Sequence, residues 1–244
     1  MEVHHHPELP HGEKKRFKEY ILEFLMIFLA VTMGFIAENI REHLSDNSKE
    51  GEYITGMIKN LEVDTIRLKE AIMENQLQAR GFDSLRKVSK DKLSDLKVQD
   101  SLYWLTSNYL WYANNFKNDD ITLTQLRNAG GYRLIKNSDV LDSISDYESK
   151  IRDLNDQFTG VVASFEKARE DANSVFDLTI GHNFRLRPTS TPVLITNDKE
   201  KIYKYYNGCW YVLLGLNGYD QMMEDHLKYS SRLIAFLKKE YDVD

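Results

Sequence analysis

Apolar residues fall along this chain in two distinct patterns. From residue 20 to residue 37 they are nearly continuous, interrupted by one charge at Glu23, whereas beyond residue 50 they recur every third or fourth position among charged residues. The first pattern suits a helix surrounded by hydrocarbon. At about 1.5 Å per residue the run covers roughly 27 Å, close to the ~30 Å of a bilayer core, and Phe17 and Ile40 can extend it. The second pattern has the period of a helix and not of a strand. Ile54, Ile58, Leu61, Leu68 and Ile72, with Thr65 in the gap, predict a long first helix continuing from the span. Leu102, Leu105, Tyr109, Tyr112 and Phe116 predict a second, aromatic-rich helix, with Trp104 and Trp111 on a neighbouring face.

A short helix is expected from Thr122, where Thr122 and Gln125 have the spacing of a capping box, to the pair Gly130 and Gly131. Beyond the capping residues Asn137 and Ser138, the stripe Leu141, Ile144, Ile151, Leu154, Phe158, Val161, Phe165, Ala168 and Ala172 predicts a third long helix to about Leu178. Residues 181–197, which include Pro188 and Pro192, read as a loop, and Asn197 with Glu200 resembles another helix start. Ile202, Tyr205, Cys209, Val212 and Leu216 continue the pattern towards Leu227, Leu233, Ile234 and Leu237, with Gly215 and Gly218 either breaking that helix or letting it pack closely. Pro7 and Pro10 lie in the N-terminal tail, so the strongest helix breaker is absent between residues 11 and 187. Each apolar stripe must be buried against another element. The expected fold is therefore all-α: one transmembrane helix followed by an extracytoplasmic antiparallel bundle of about four long helices. The expected domains are a tail at 1–19, the span at 20–38 and the bundle at 39–244.

Charge supplies the orientation. Lys14, Lys15, Arg16 and Lys18 crowd the start of the apolar run, while only Arg41 and Lys49 occupy the dozen residues after Ala37. The positive-inside rule then leaves the N-terminus in the bacterial cytoplasm and the C-terminal domain on the periplasmic side of the inner membrane. A cleaved signal peptide competes, with Ala30-Val31-Thr32 or Phe35-Ile36-Ala37 as forced cleavage sites, but the apolar core is long for that. The net charge of −6 and the absence of a second basic patch argue against a nucleic-acid surface. With a single cysteine, Cys209, no internal disulfide can form, and the thiol reads as a small buried hydrophobe.

An ionisable residue inside a span is costly and by default a functional candidate. Steps of four and three from Glu23 reach Ile27, Ala30, Gly34 and Ala37, so the carboxyl group shares a stripe with small residues that let helices approach closely in lipid. Glu23 is thus expected at an assembly face, with snorkelling towards Lys18 or Arg16 and proton-coupled work as the other readings. His4, His5 and His6 could chelate a metal weakly, yet no carboxylate or thiol accompanies them at fixed spacing, and no cofactor is expected. Neither a nucleophile with its base nor a phosphate-binding loop is present, because Gly130-Gly131 lacks a following Lys-Ser. An enzyme is not expected. Trp104, Tyr109, Trp111, Tyr112, Tyr205, Tyr206, Trp210 and Tyr211 sit at core spacing, with a ligand pocket as the alternative.

The opening MEVHHH (1–6), the run YILEFLMIFLAVTMGF (20–35) with AENIREH (37–43), and the segment LRNAGGYRLIKN (126–137) resemble a family of uncharacterised bacterial single-pass membrane proteins. The resemblance implies a membrane-anchored helical protein and carries over no catalytic residues. Two functions follow as expectations. One is a structural or accessory subunit that assembles through its span, as a homo-oligomer or in a membrane-protein complex, and presents its bundle to a periplasmic partner. The other is a sensor or small-ligand-binding module that signals through a partner protein, since about nineteen residues before the span leave no room for an output domain.

Overall fold

The computed structural model describes residues 17–180 and 192–243. Within them the chain is all-helical. Its elements are α1 (Phe17–Arg86), α2 (Leu96–Tyr109), α3 (Ile121–Asn128), α4 (Ser138–Asn173) and α5 (Lys199–Tyr241), with 3₁₀ turns at Lys90–Lys92 and Gly131–Leu134. By its internal contacts the chain forms two units, Met1–Lys49 and Glu50–Asp244, and α1 contributes to both.

In the first unit, residues 17–49 are helical and their large apolar side chains are exposed. Phe24 and Phe28 stack one turn apart, with ring centroids at 6.2 Å. The hydroxyl of Thr32 donates to the Phe28 carbonyl at 2.7 Å, so this polar side chain is satisfied by its own helix.

In the second unit the pairings fix the direction of the three long helices. Asp64 meets Tyr147 and Phe82 meets Phe165, so α1 and α4 run parallel. Glu50 meets Tyr241, Asn75 meets Leu216 and Arg86 meets Trp210, so α5 runs antiparallel to α1. The core forms two clusters along them, and the half-buried Ile151 of α4 packs against both. Near the start of the unit Ile54, Met57, Ile58 and Leu61 pack with α3, with Val140, Ile144 and Tyr147 of α4, and with Leu233 and Leu237 of α5. Further along, Leu68, Phe82 and Leu85 pack with α2, with Val161, Phe165 and Ala168, and with Tyr205, Val212 and Leu216.

Several boundaries differ from the sequence reading, each for a local reason. The second helix has 14 residues and stops at Tyr109, because the Gln78 amide takes the carbonyls of both Tyr109 and Tyr112 and pins an irregular strap. Tyr112 and Phe116 therefore lie on that strap and not on a helix. The expected capping box at Thr122 does not form. Asp120 is the N-cap residue, and the Thr122 amide is satisfied instead by the Asn60 side chain at 3.1 Å. Asn137 does cap α4, accepting from the Asp139 and Val140 amides. That helix ends at Asn173 and not near Leu178, because Phe176 and Leu194 pair in an antiparallel bridge flanked by Asp177 N to Val193 O at 2.9 Å. Asp198, not Asn197, caps α5. Gly215 and Gly218 leave α5 unbroken, and Gly208 lets it pack close to α4: a Cβ there would lie 3.3 Å from Ala168 Cα.

Candidate functional site

The stripe Glu23, Ile27, Ala30, Gly34 and Ala37 lies on one uninterrupted helix, where steps of four and three return to one side. Ile27 is 65% exposed, and a Cβ added at Gly34 would meet nothing within 4 Å. Lys18 also belongs to α1 and is exposed. Lys14, Lys15, Arg16 and the histidines His4, His5 and His6 lie outside the described residues.

The second unit carries a buried polar seam that hydrophobic periodicity did not reveal. The gap in the α1 stripe is occupied by Asp64, fully buried, one residue before the half-buried Thr65. One carboxylate oxygen of Asp64 accepts from the Asp119 amide at 2.7 Å, and the other accepts from the Tyr147 hydroxyl. Burial raises the Asp64 carboxyl to about 6 against these two hydrogen bonds, which act to lower it. Burial, and then the charge of Asp64, push the Tyr147 phenol far above its ordinary value. The Tyr147 ring stacks on His226, with centroids 4.9 Å apart at 25°. His226 is 2% exposed, and neither ring nitrogen has a hydrogen-bond partner. Burial, followed by the nearby Lys150, lowers its imidazole to about 4, so at neutral pH it is uncharged. Phe116 covers it from the strap at 6.0 Å. The phenol contacts the imidazole through its face and not through a ring nitrogen, so the three groups form no proton relay.

What the seam does is hold the strap of residues 111–120. This segment lacks helix or strand bonds of its own, and buried backbone groups left unpaired are costly. Side chains of the long helices replace those bonds. Arg169 of α4 donates to the Trp111 carbonyl at 3.0 Å, and Arg67 of α1 to that of Lys117 at 3.4 Å. The Tyr219 hydroxyl of α5 accepts from the Phe116 amide at 3.0 Å and donates to the Asn115 side chain at 3.0 Å. Two clefts open between α1 and the strap. The larger, of about 410 Å³, is lined by Arg67, Glu70 and Glu74 of α1 and by Asn114, Asn115 and Lys117. The smaller, of about 240 Å³, shares Glu74 and Asn114 with it and adds Leu77, Gln78, Tyr109 and Tyr112.

The segment 126–137 forms the turn that joins α3 to α4. Gly130 adopts φ +66°, in the left-handed region where a side chain is strained. Glu148 receives both Arg127, at 2.8 Å, and the Tyr132 hydroxyl, at 2.7 Å. Glu50, the first residue of the unit, accepts from the Lys136 amide at 3.0 Å and from the Tyr241 hydroxyl at 2.6 Å. The geometry of this segment is that of a clamp between helices.

The aromatic positions divide between core and surface. Tyr205 and Tyr206 are buried, whereas Tyr112, Trp210 and Tyr211 are exposed. The Arg86 guanidinium lies 5.4 Å from the Trp210 ring centroid. Cys209 is buried, and burial pushes its thiol up to about 12, so it carries no thiolate at neutral pH. No group of three or more metal-ligating side chains occurs among the described residues. Compared with protein-family models, curated proteins and solved structures, the chain has no match in any of the three.

Proposed function

We propose that this chain is a non-enzymatic, single-pass protein of the bacterial cytoplasmic membrane. It acts as a structural or accessory subunit that assembles through its span and presents an exported helical bundle to a partner. The observation that carries this reading is the N-terminal part of α1, which is long and apolar enough to cross a membrane and whose apolar window is 0% buried within the protein. So large an apolar surface is unfavourable in water, and a bilayer or a partner helix would remove it. Residues 20–38 are the span, 1–19 the cytoplasmic tail and 39–244 the periplasmic bundle; the basic residues before the span support that direction. On the span, Glu23 with Ile27, Ala30, Gly34 and Ala37 is the assembly face.

Two measurements test this. In a Cys209→Ala background, a membrane-impermeant maleimide should label Ser48→Cys in intact spheroplasts and Glu13→Cys only after lysis. The reverse pattern, or release of the protein by alkaline carbonate, would overturn the placement. In mild detergent the chain should migrate as an oligomer or complex, and Glu23→Gln should reduce its size. An unchanged size would remove Glu23 from the interface.

A further inference from the structure

We infer that the outward face of α1 in the second unit is an interface with a second copy of this chain, packed as a parallel two-stranded coiled coil. In this unit α1 carries two apolar stripes. Leu68 and Phe82 belong to the one buried in the chain's own core. On the other side Val63, Ile66, Met73 and Leu77 are between 36% and 64% exposed. Their spacing is that of a heptad seam, with Val63 and Leu77 at a and Ile66 and Met73 at d. In that register Leu68, Asn75 and Phe82 all fall at f, the position farthest from the seam, and all three are 0% exposed. The seam therefore points away from the core. By contrast α4, which is also amphipathic, exposes no large apolar side chain. An exposed apolar row on α1 alone of these two helices marks a contact surface.

The flanking charges select the partner. In a parallel pair each g position faces the following e position of the other helix. Here those positions are Glu62 and Arg67, then Lys69 and Glu74, so a second copy of the same sequence meets opposite charge at both contacts. All four side chains are exposed, and two-fold symmetry makes each contact twice. Glu62 also meets Lys238 of α5 at 3.1 Å, and Arg67 the Lys117 carbonyl at 3.4 Å, which leaves Lys69 and Glu74 the pair with less competition. An antiparallel pair that opposes Ile66 to Leu77 would instead set Glu62 against Asp83. Glu70 occupies the a position midway along the seam, where it meets its counterpart beside Lys69 of the second copy. One polar residue at a weakens such a coil and fixes its register. This interface is separate from the Glu23 face, and it rests on the membrane reading only in that anchored copies meet at raised concentration.

Disulfide trapping of the full chain in its native membranes is the test. In a Cys209→Ala background, Ile66→Cys should oxidise to a linked dimer, since d positions of a parallel coil face each other, whereas Ser145→Cys, exposed on α4, should not. Adding Lys69→Glu should cut the Ile66→Cys yield at least fivefold, because two attractions become repulsions. Adding Glu74→Lys to that chain should restore the yield to within twofold. Both replaced side chains are exposed, so the variants should keep the thermal midpoint of the wild type. Rescue is specific to the parallel pair, because in the antiparallel one Glu74→Lys would set a second cation against Arg67. No Ile66→Cys dimer, an equal yield from Ser145→Cys, or failure of Glu74→Lys to rescue Lys69→Glu would overturn the coil. Oligomer size after Glu23→Gln reads the span and the Ile66→Cys disulfide reads the coil, so either interface can fail alone.

Discussion

Asp64→Asn and His226→Phe should tilt the pH dependence of stability in opposite directions, although both residues contact Tyr147. The Asp64 carboxyl lies at about 6 in the folded chain against an ordinary 3.8. Between those values the folded state holds a proton that the unfolded chain has released. Stability from this group therefore rises on acidification and is lost as the pH climbs through 6. The His226 imidazole lies at about 4 against an ordinary 6.5. Here the unfolded chain takes up a proton that the folded state refuses, so stability is complete above 6.5 and is lost as the pH falls towards 4. Going from about pH 7.5 to about pH 4.5, linkage gives a gain of roughly 2 kcal/mol from Asp64 and a loss of roughly 2 to 3 kcal/mol from His226. In the wild type the two nearly cancel. Asparagine keeps an acceptor for the Asp119 amide, and phenylalanine keeps a ring on Tyr147. Over that pH change Asp64→Asn should lose roughly 2 kcal/mol relative to the wild type, and His226→Phe should gain roughly 2 to 3 kcal/mol. Urea unfolding of the full chain in detergent, followed by tryptophan fluorescence, reads this directly, because Trp104, Trp111 and Trp210 all lie in the second unit. Parallel slopes in the two variants, or slopes of reversed sign, would refute the reasoning.

Gly81→Ala should cost about 1–3 kcal/mol or more in the same assay, since a Cβ there would lie 2.3 Å from the Tyr109 ring, whereas Gly160→Ala, with nothing within 4 Å on an exposed helix face, should stabilise by about 0.5–1 kcal/mol. Asn137→Ala removes the side chain that accepts from the Asp139 and Val140 amides and should cost about 1 kcal/mol, with increased amide hydrogen exchange confined to the start of α4. Glu148→Ala takes the partner from both Arg127 and Tyr132 and should cost about 1–2 kcal/mol in urea unfolding; no change would show that the clamp contributes nothing to stability.

Much of the architecture follows from short-range regularities. The continuation of α1 beyond the span was legible because apolar residues recur at helical spacing from Ile54 through Ile58, Leu61 and Leu68, and no proline separates them from the apolar run at 20–37. The Asn137 cap and the turn at Gly130 were legible because capping and left-handed backbone depend on the residue itself. The seam and the strap were not legible, because their partners are far apart in sequence. Asp64 binds Asp119 and Tyr147, Gln78 binds the carbonyls of Tyr109 and Tyr112, and Asn60 replaces the local cap expected at Thr122. A periodicity argument reads Tyr112 and Phe116 as further turns of α2, and only the arrival of buried amides and carboxylates from α1 makes an irregular backbone the cheaper conformation there. By itself the sequence determined that the chain is helical, where its apolar run lies and where several of its turns fall. The tertiary structure alone decided which polar side chains are buried, and hence where the strap, the shifted Asp64 and His226 and the clefts beside α1 are found. Local propensity is written in neighbouring residues, whereas desolvation and hydrogen-bond pairing exist only once distant segments have met.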